Sequence, residues 1–149
     1  MRRDYFSFDA QGVQSDDSGR PVVLITYEGP TDEFDSRLRR SGTLLDGDDV
    51  DVSYRLRDGL DTDSPAGVLA VADRVTGEYM FELNADAEGV FAVAEAVADT
   101  DGSDGNYRIV IETDDGTELA TYDRSMLLVY DHDGELLRDR SLIPSGVEI

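Results

Sequence analysis

The chain has no lysine, no cysteine and no tryptophan, and among its 149 residues there are only four prolines and one histidine. Each absence removes a class of chemistry. Without lysine there is no phosphate-cradling glycine loop of the usual kind and no Schiff-base catalysis. Without cysteine there is no disulfide, no thiolate nucleophile and no thiolate metal ligand. A zinc site gathers several histidines or cysteines, which this chain cannot supply. Any Ser-His-Asp triad would have to use His132, which lies between Asp131 and Asp133. That segment reads as the tip of a hairpin, where a base is not held against a nucleophile, so His132 is assigned to the turn. No apolar run approaches the ~20 residues of a membrane helix. The start of the chain, Met1 to Phe6, offers no apolar stretch of signal-peptide length. A soluble protein of the cytoplasm, away from membranes, is expected.

Acid is what the chain has in abundance. Against 34 aspartates and glutamates stand 13 basic residues, all arginine, for a net charge of −21. In dilute buffer this excess opposes compaction. In molar salt the Debye length falls to about 3 Å and the repulsion is screened beyond contact range. Carboxylates hold water and hydrated cations where water activity is low, and short aspartate stems add little apolar surface. Lysine stems become a liability as salt strengthens apolar association, whereas arginine keeps its planar fork for bidentate pairing. The composition therefore reads as adaptation to a high-salt cytoplasm, with salt cations and water at the surface. Disorder does not fit, because the apolar residues have a clear period. The acids are also spread along the whole chain and not gathered into a tail.

The length suits a single domain spanning 1–149, large enough to bury about two-thirds of its unfolded surface. Alternation dominates: Val50, Val52, Tyr54 and Leu56 against Asp51, Ser53, Arg55 and Arg57, then Tyr79, Phe81 and Leu83, then Tyr107, Ile109 and Ile111. The continuous run Val22–Tyr27 suits a central strand buried on both faces. Further strands are expected near Tyr5–Phe8, Val68–Ala72, Leu119–Tyr122, Met126–Tyr130 and Leu136–Arg140, the last three as a meander. Turns are expected at Asp16–Gly19, Thr76-Gly77, Asp114–Gly116 and His132–Gly134. One helix is expected after Asp86, which can cap it, with Val90, Phe91, Ala94 and Val97 as its apolar stripe. A short second helix at Asp32–Arg40 would set Phe34 and Leu38 one turn apart. The fold class is mainly β: around nine strands in a two-sheet antiparallel sandwich with one helix. The alternative is α+β, an antiparallel sheet with one or two helices on one face.

Three groups of residues are candidates for function. Asp46, Asp48 and Asp49 in one loop, and Asp99, Asp101 and Asp104 in another, could present oxygens to a hard cation. The helix-loop-helix calcium pattern fails, since Asp104 and Val110 fall where glycine and a bidentate glutamate are required. Arg55 and Arg57 share a strand face, and Arg138 and Arg140 could share another. Adjacent, these four would form a positive patch for an acidic partner or phosphate. Nucleic acid is disfavoured, because phosphate affinity falls steeply with salt and no aromatic-interleaved basic motif is present. Finally, the apolar tail containing Leu142 and Ile143 either docks on its own domain or enters a partner's groove.

Gly77-Glu78-Tyr79, the helix following Asp86, the Tyr130-Asp131-x-x-Gly134 hairpin and the closing Ser141–Ile149 segment give the chain a likeness. It resembles small acidic proteins of unknown function from halophilic archaea over most of its length, with 31–47 indistinct. The resemblance implies salt adaptation and one domain, and transfers no active site. No cofactor is called for. The function expected is that of a non-enzymatic binding or interaction module with a protein partner. The alternative is a Ca, Mg or Mn binding domain, or a metal-dependent hydrolase, using the aspartate loops.

Overall fold

A computed structural model describes residues 5–9, 21–59, 63–98 and 107–143. Ten strands and two helices follow in order: β1 (Phe6–Asp9), β2 (Val22–Tyr27), α1 (Thr31–Arg37), β3 (Arg39–Arg40), β4 (Thr43–Leu44), β5 (Val50–Leu56), β6 (Ala66–Asp73), β7 (Tyr79–Asp86), α2 (Ala87–Ala98), β8 (Tyr107–Thr113), β9 (Glu118–Arg124) and β10 (Leu128–Tyr130). A first sheet has the order β1-β2-β8-β9 and a second the order β10-β5-β6-β7, while β3 and β4 form a separate small hairpin. The fold is mainly β, as expected. Two features depart from the expected sandwich. Each sheet contains one parallel pair, β2 with β8 and β10 with β5. There are also two helices instead of one. Both parallel pairs arise because the chain alternates between sheets, laying β5 to β7 in the second sheet before returning for β8 and β9.

Alternation turns the same residues inward that the period suggested. Val50, Val52, Tyr54 and Leu56 are buried, as are Tyr107, Ile109 and Ile111. They meet Val23, Ile25 and Tyr27 of the facing sheet in one core cluster. The β2 run is not buried on both faces: Val23, Ile25 and Tyr27 are inside, while Val22, Leu24 and Thr26 are half-exposed. β2 is an interior strand of its sheet, but no described helix covers its outer face.

β7 corrects another expectation. The pairing of β6 with β7 shifts between Val71 and Ala72, where a bulge sets Tyr79 opposite Ala72. An extra residue in one strand reverses which side chains face inward beyond it. Met80 and Phe81 are therefore both buried, and Tyr79 is 61% exposed.

The helices close the open ends of the core. Phe34 on α1 and Leu38, which caps its C-terminus, are fully buried. The Phe34 ring meets Tyr27, Phe6 and Phe81 at centroid distances of 4.3, 5.3 and 5.4 Å, so it fastens both sheets. On α2, Asp86 caps as expected, its Oδ2 accepting from Gly89 N–H at 2.8 Å. Val90 and Val93 pack between the sheets against Phe8, Val52 and Tyr107, leaving a void of about 10 Å³.

The chain end also differs from the sequence reading. Leu136–Arg140 is not a strand. Tyr130 and Leu136 form a lone bridge, after which Arg140 and Ser141 N–H groups donate back to Leu137 and Arg138 carbonyls in a turn. β10 crosses to the second sheet, so no meander forms with β9.

Candidate functional site

The outer face of the second sheet carries a broad concavity. Its floor is set by β6, whose outward residues Val68 and Ala70 are small. On one side β5 raises Ser53 and Arg55, and Arg57 stands just past its end. On the other β7 raises Glu82 and the bulge-displaced Tyr79. Ladder register puts Ser53, Ala70 and Glu82 in one row across three strands. The hairpin following β10 overhangs the β5 side. Asp131 Oδ1 accepts from the N–H groups of Asp133 and Glu135, both at 2.9 Å, and Gly134 takes φ 85°, which suits glycine. This brings His132 to the rim. The resulting cleft has a volume of about 430 Å³.

Charge in the cleft is unsatisfied. Among the described residues Arg55, Arg57 and Glu82 make no ion pair or side-chain hydrogen bond, whereas Arg39, Arg40, Arg74, Arg108, Arg124 and Arg140 each pair with an acid. Arg37 is also without an ion pair, but only Arg55 and Arg57 share a depression. Beneath them, burial pushes the Tyr54 hydroxyl well above its ordinary range. It stays protonated and donates to Ala85 O at 2.8 Å, fixing β5 against the end of β7. Ser53 and His132 both line the cleft, yet no hydrogen bond joins them. The ionic neighbour of His132 is Asp133 Oδ2, 3.7 Å away on its own hairpin. A nucleophile with an oriented base is not assembled.

The other candidates lie elsewhere. Arg140 sits over the Phe91 ring, 4.7 Å from its centroid, and 3.7 Å from Glu95 on α2. It lines a separate crevice with Leu142, so the four arginines do not share one depression. Arg138 is exposed and does not line the cleft either. Leu142 is buried and exchanges both backbone hydrogen bonds with Leu127, at 2.8 and 3.0 Å, so it docks on its own chain; Ile143 is half-buried. The residues after 143 lie outside the described ones.

Asp48 and Asp49 fall on a single 3-10 turn, Gly47–Asp49, before β5, and Asp46 caps it. The Asp46 carboxylate accepts from Asp48 N–H at 2.9 Å, and Asp49 accepts from Asp46 N–H at 3.1 Å. Asp49 also faces Arg40 at 3.7 Å. The Asp46 and Asp49 carboxylates are thus occupied in shaping the turn. The described residues contain no group of three histidines, cysteines or acids placed to share a metal. Asp99, Asp101 and Asp104, like the turn at Asp16–Gly19, lie outside the described residues.

Sequence reasoning found Arg55 and Arg57 from alternation. It missed Glu82 and Tyr79, because nothing local signals the bulge, and it missed that the His132 hairpin leans over β5. The small outward residues of β6 were the one available signal for a trough.

These features define a β-rich, two-sheet protein that presents a charged cleft on the outside of one sheet. No helix among the described residues is long and apolar enough to cross a membrane. The chain belongs to DUF5793, a family of unknown function, whose model matches residues 1–149. No curated protein and no solved structure matches it.

Proposed function

We propose that the protein is a non-enzymatic binding module of a salt-rich cytoplasm, and that its ligand site is the cleft between β5, β6 and β7. One observation carries the reading: on a chain of net charge −21, two arginines without an acidic partner among the described residues share a concavity of about 430 Å³. Ligand sites are concave, with a few polar groups over an apolar floor, and this cleft has that make-up. Guanidinium forks suit bidentate recognition of a carboxylate or other oxyanion. The absence of a hydrogen-bonded Ser53–His132 pair favours binding over hydrolysis. Nucleic acid fits poorly, since its phosphate contacts weaken steeply in salt.

Amide chemical-shift mapping in molar KCl tests this with a mixed library of small charged and neutral metabolites. Shifts are expected on the outer rows of β5, β6 and β7 and on residues 131–135. Arg55→Ala combined with Arg57→Ala should abolish them, and Ser53→Ala should leave them. Shifts that map elsewhere, or that survive loss of both arginines, would overturn the reading. A hydrolytic activity lost in Ser53→Ala would make the protein an enzyme instead.

A further inference from the structure

Opposite charges face each other across the cleft without meeting. Arg55 rises from β5 and Arg57 from just past its end, Glu82 rises from β7, and none of the three is ion-paired among the described residues. Unlike charges on one protein face usually pair when their side chains can reach. Here β6 stands between them, so the two walls are separated by two strand intervals, roughly 10 Å from backbone to backbone. The strand between presents only Val68 and Ala70, and nothing from the floor fills the gap.

We propose that the cleft takes an amphoteric small molecule, with a carboxylate at Arg55 and Arg57, an apolar stem over Val68 and Ala70, and a cationic nitrogen at Glu82. The inference rests on the cleft being a ligand site and adds the class of ligand. A purely anionic ligand satisfies the arginines but leaves Glu82 unopposed. A purely cationic ligand leaves two arginines unneutralised. A ligand bearing both charges satisfies both walls. Tyr79 strengthens the cationic side: it lines the cleft on the same strand as Glu82, is 61% exposed, and brings an aromatic ring, a group that attracts ammonium ions. The two forks opposite can hold a carboxylate by more than one oxygen.

A matched set of probes tests the class: ε-aminocaproate carries both charges, caproate only the anion and hexylamine only the cation. Each is titrated into the full chain in molar KCl and followed by the amide shifts of β5, β6 and β7. ε-Aminocaproate is expected to bind roughly fivefold more tightly than either single-charge probe. Glu82→Gln should bring it down to the level of caproate, and Arg55→Ala with Arg57→Ala should remove both carboxylates. Glu82 is at the surface, so the variant's spectrum away from the cleft should match that of the parent chain. If caproate binds as tightly as ε-aminocaproate, or the preference survives Glu82→Gln, the amphoteric class is overturned while the binding site stands. If none of the probes moves a cleft amide, the amphoteric class is likewise overturned, and the library screen decides the binding reading separately.

Discussion

Asp73 closes the turn after β6, accepting from Val75 N–H at 2.8 Å, Thr76 N–H at 3.2 Å and Arg40 Nε–H at 3.1 Å. Partial burial pushes its carboxyl up, but these donors and the Arg40 charge outweigh that and leave it below its ordinary value of 3.8. A depressed carboxyl contributes stability that is complete above the ordinary value and is lost as pH falls through the lowered one. Asp73→Asn is therefore expected to lower the urea midpoint at neutral pH and to flatten its decline below about pH 4. Parallel acid limbs in the two proteins would rule Asp73 out as a cause. Gly67 is a second sensitive position. A β-carbon there would collide with the Arg55 carbonyl and come within 2.8 Å of the Tyr54 ring, which is buried and tied to Ala85. Gly67→Ala is expected to destabilise by about 1–3 kcal/mol in urea denaturation. From the sequence Asp73 was one acid among 34, and Gly67 one glycine among 14. Their roles come from neighbours far along the chain.

α1 and β7 show what holds the sheets together. The spacing of Phe34 and Leu38 suggested a one-face helix, and both side chains are buried. The partners of Phe34 come from three separate strands, which no local pattern identifies. Phe34→Ala is expected to cost about 3–5 kcal/mol, because the rings around the cavity are fixed by both sheets and cannot collapse into it. A midpoint shift equivalent to less than 1 kcal/mol would mean that α1 is peripheral. In β7, period-two reasoning held for Phe81 and Leu83 and failed at Tyr79, where the bulge adds one residue. Leu136–Arg140 failed for a different reason: the segment meets the free edge of β10 only at the Tyr130–Leu136 bridge and the Leu137 N–H to Val129 carbonyl bond, and its next N–H groups turn back on the segment itself instead of extending a ladder.

Net charge acts on the molecule as one body. With 21 excess negative charges, self-repulsion is felt over about 10 Å in 0.1 M salt and over about 3 Å in 1 M. The urea midpoint is expected to rise as KCl increases and to level off toward molar concentrations. Equal midpoints in low salt and molar KCl would assign the acids another purpose. Several of those acids also have local tasks. Arg40 with Asp49 and Asp73, and Arg74 and Arg124 with Asp51, gather acids and arginines where the 3-10 turn meets β5 and β9. Because these partners lie within 4 Å, salt weakens them less than it weakens the long-range repulsion.

The strand periods, the Asp86 cap, the glycine turns and the charge excess were all legible in the linear chain. Each depends on the residue and its near neighbours, or on a simple sum over all of them. The pairing of β2 with β8 and of β10 with β5, the bulge before Tyr79 and the cleft depend on which distant strands come to lie side by side. Pairing partners are chosen by burial of the shared core, to which every strand contributes at once. A short window of sequence holds no record of that competition, so Glu82 and the arginines across from it come to face one cleft only in the folded chain.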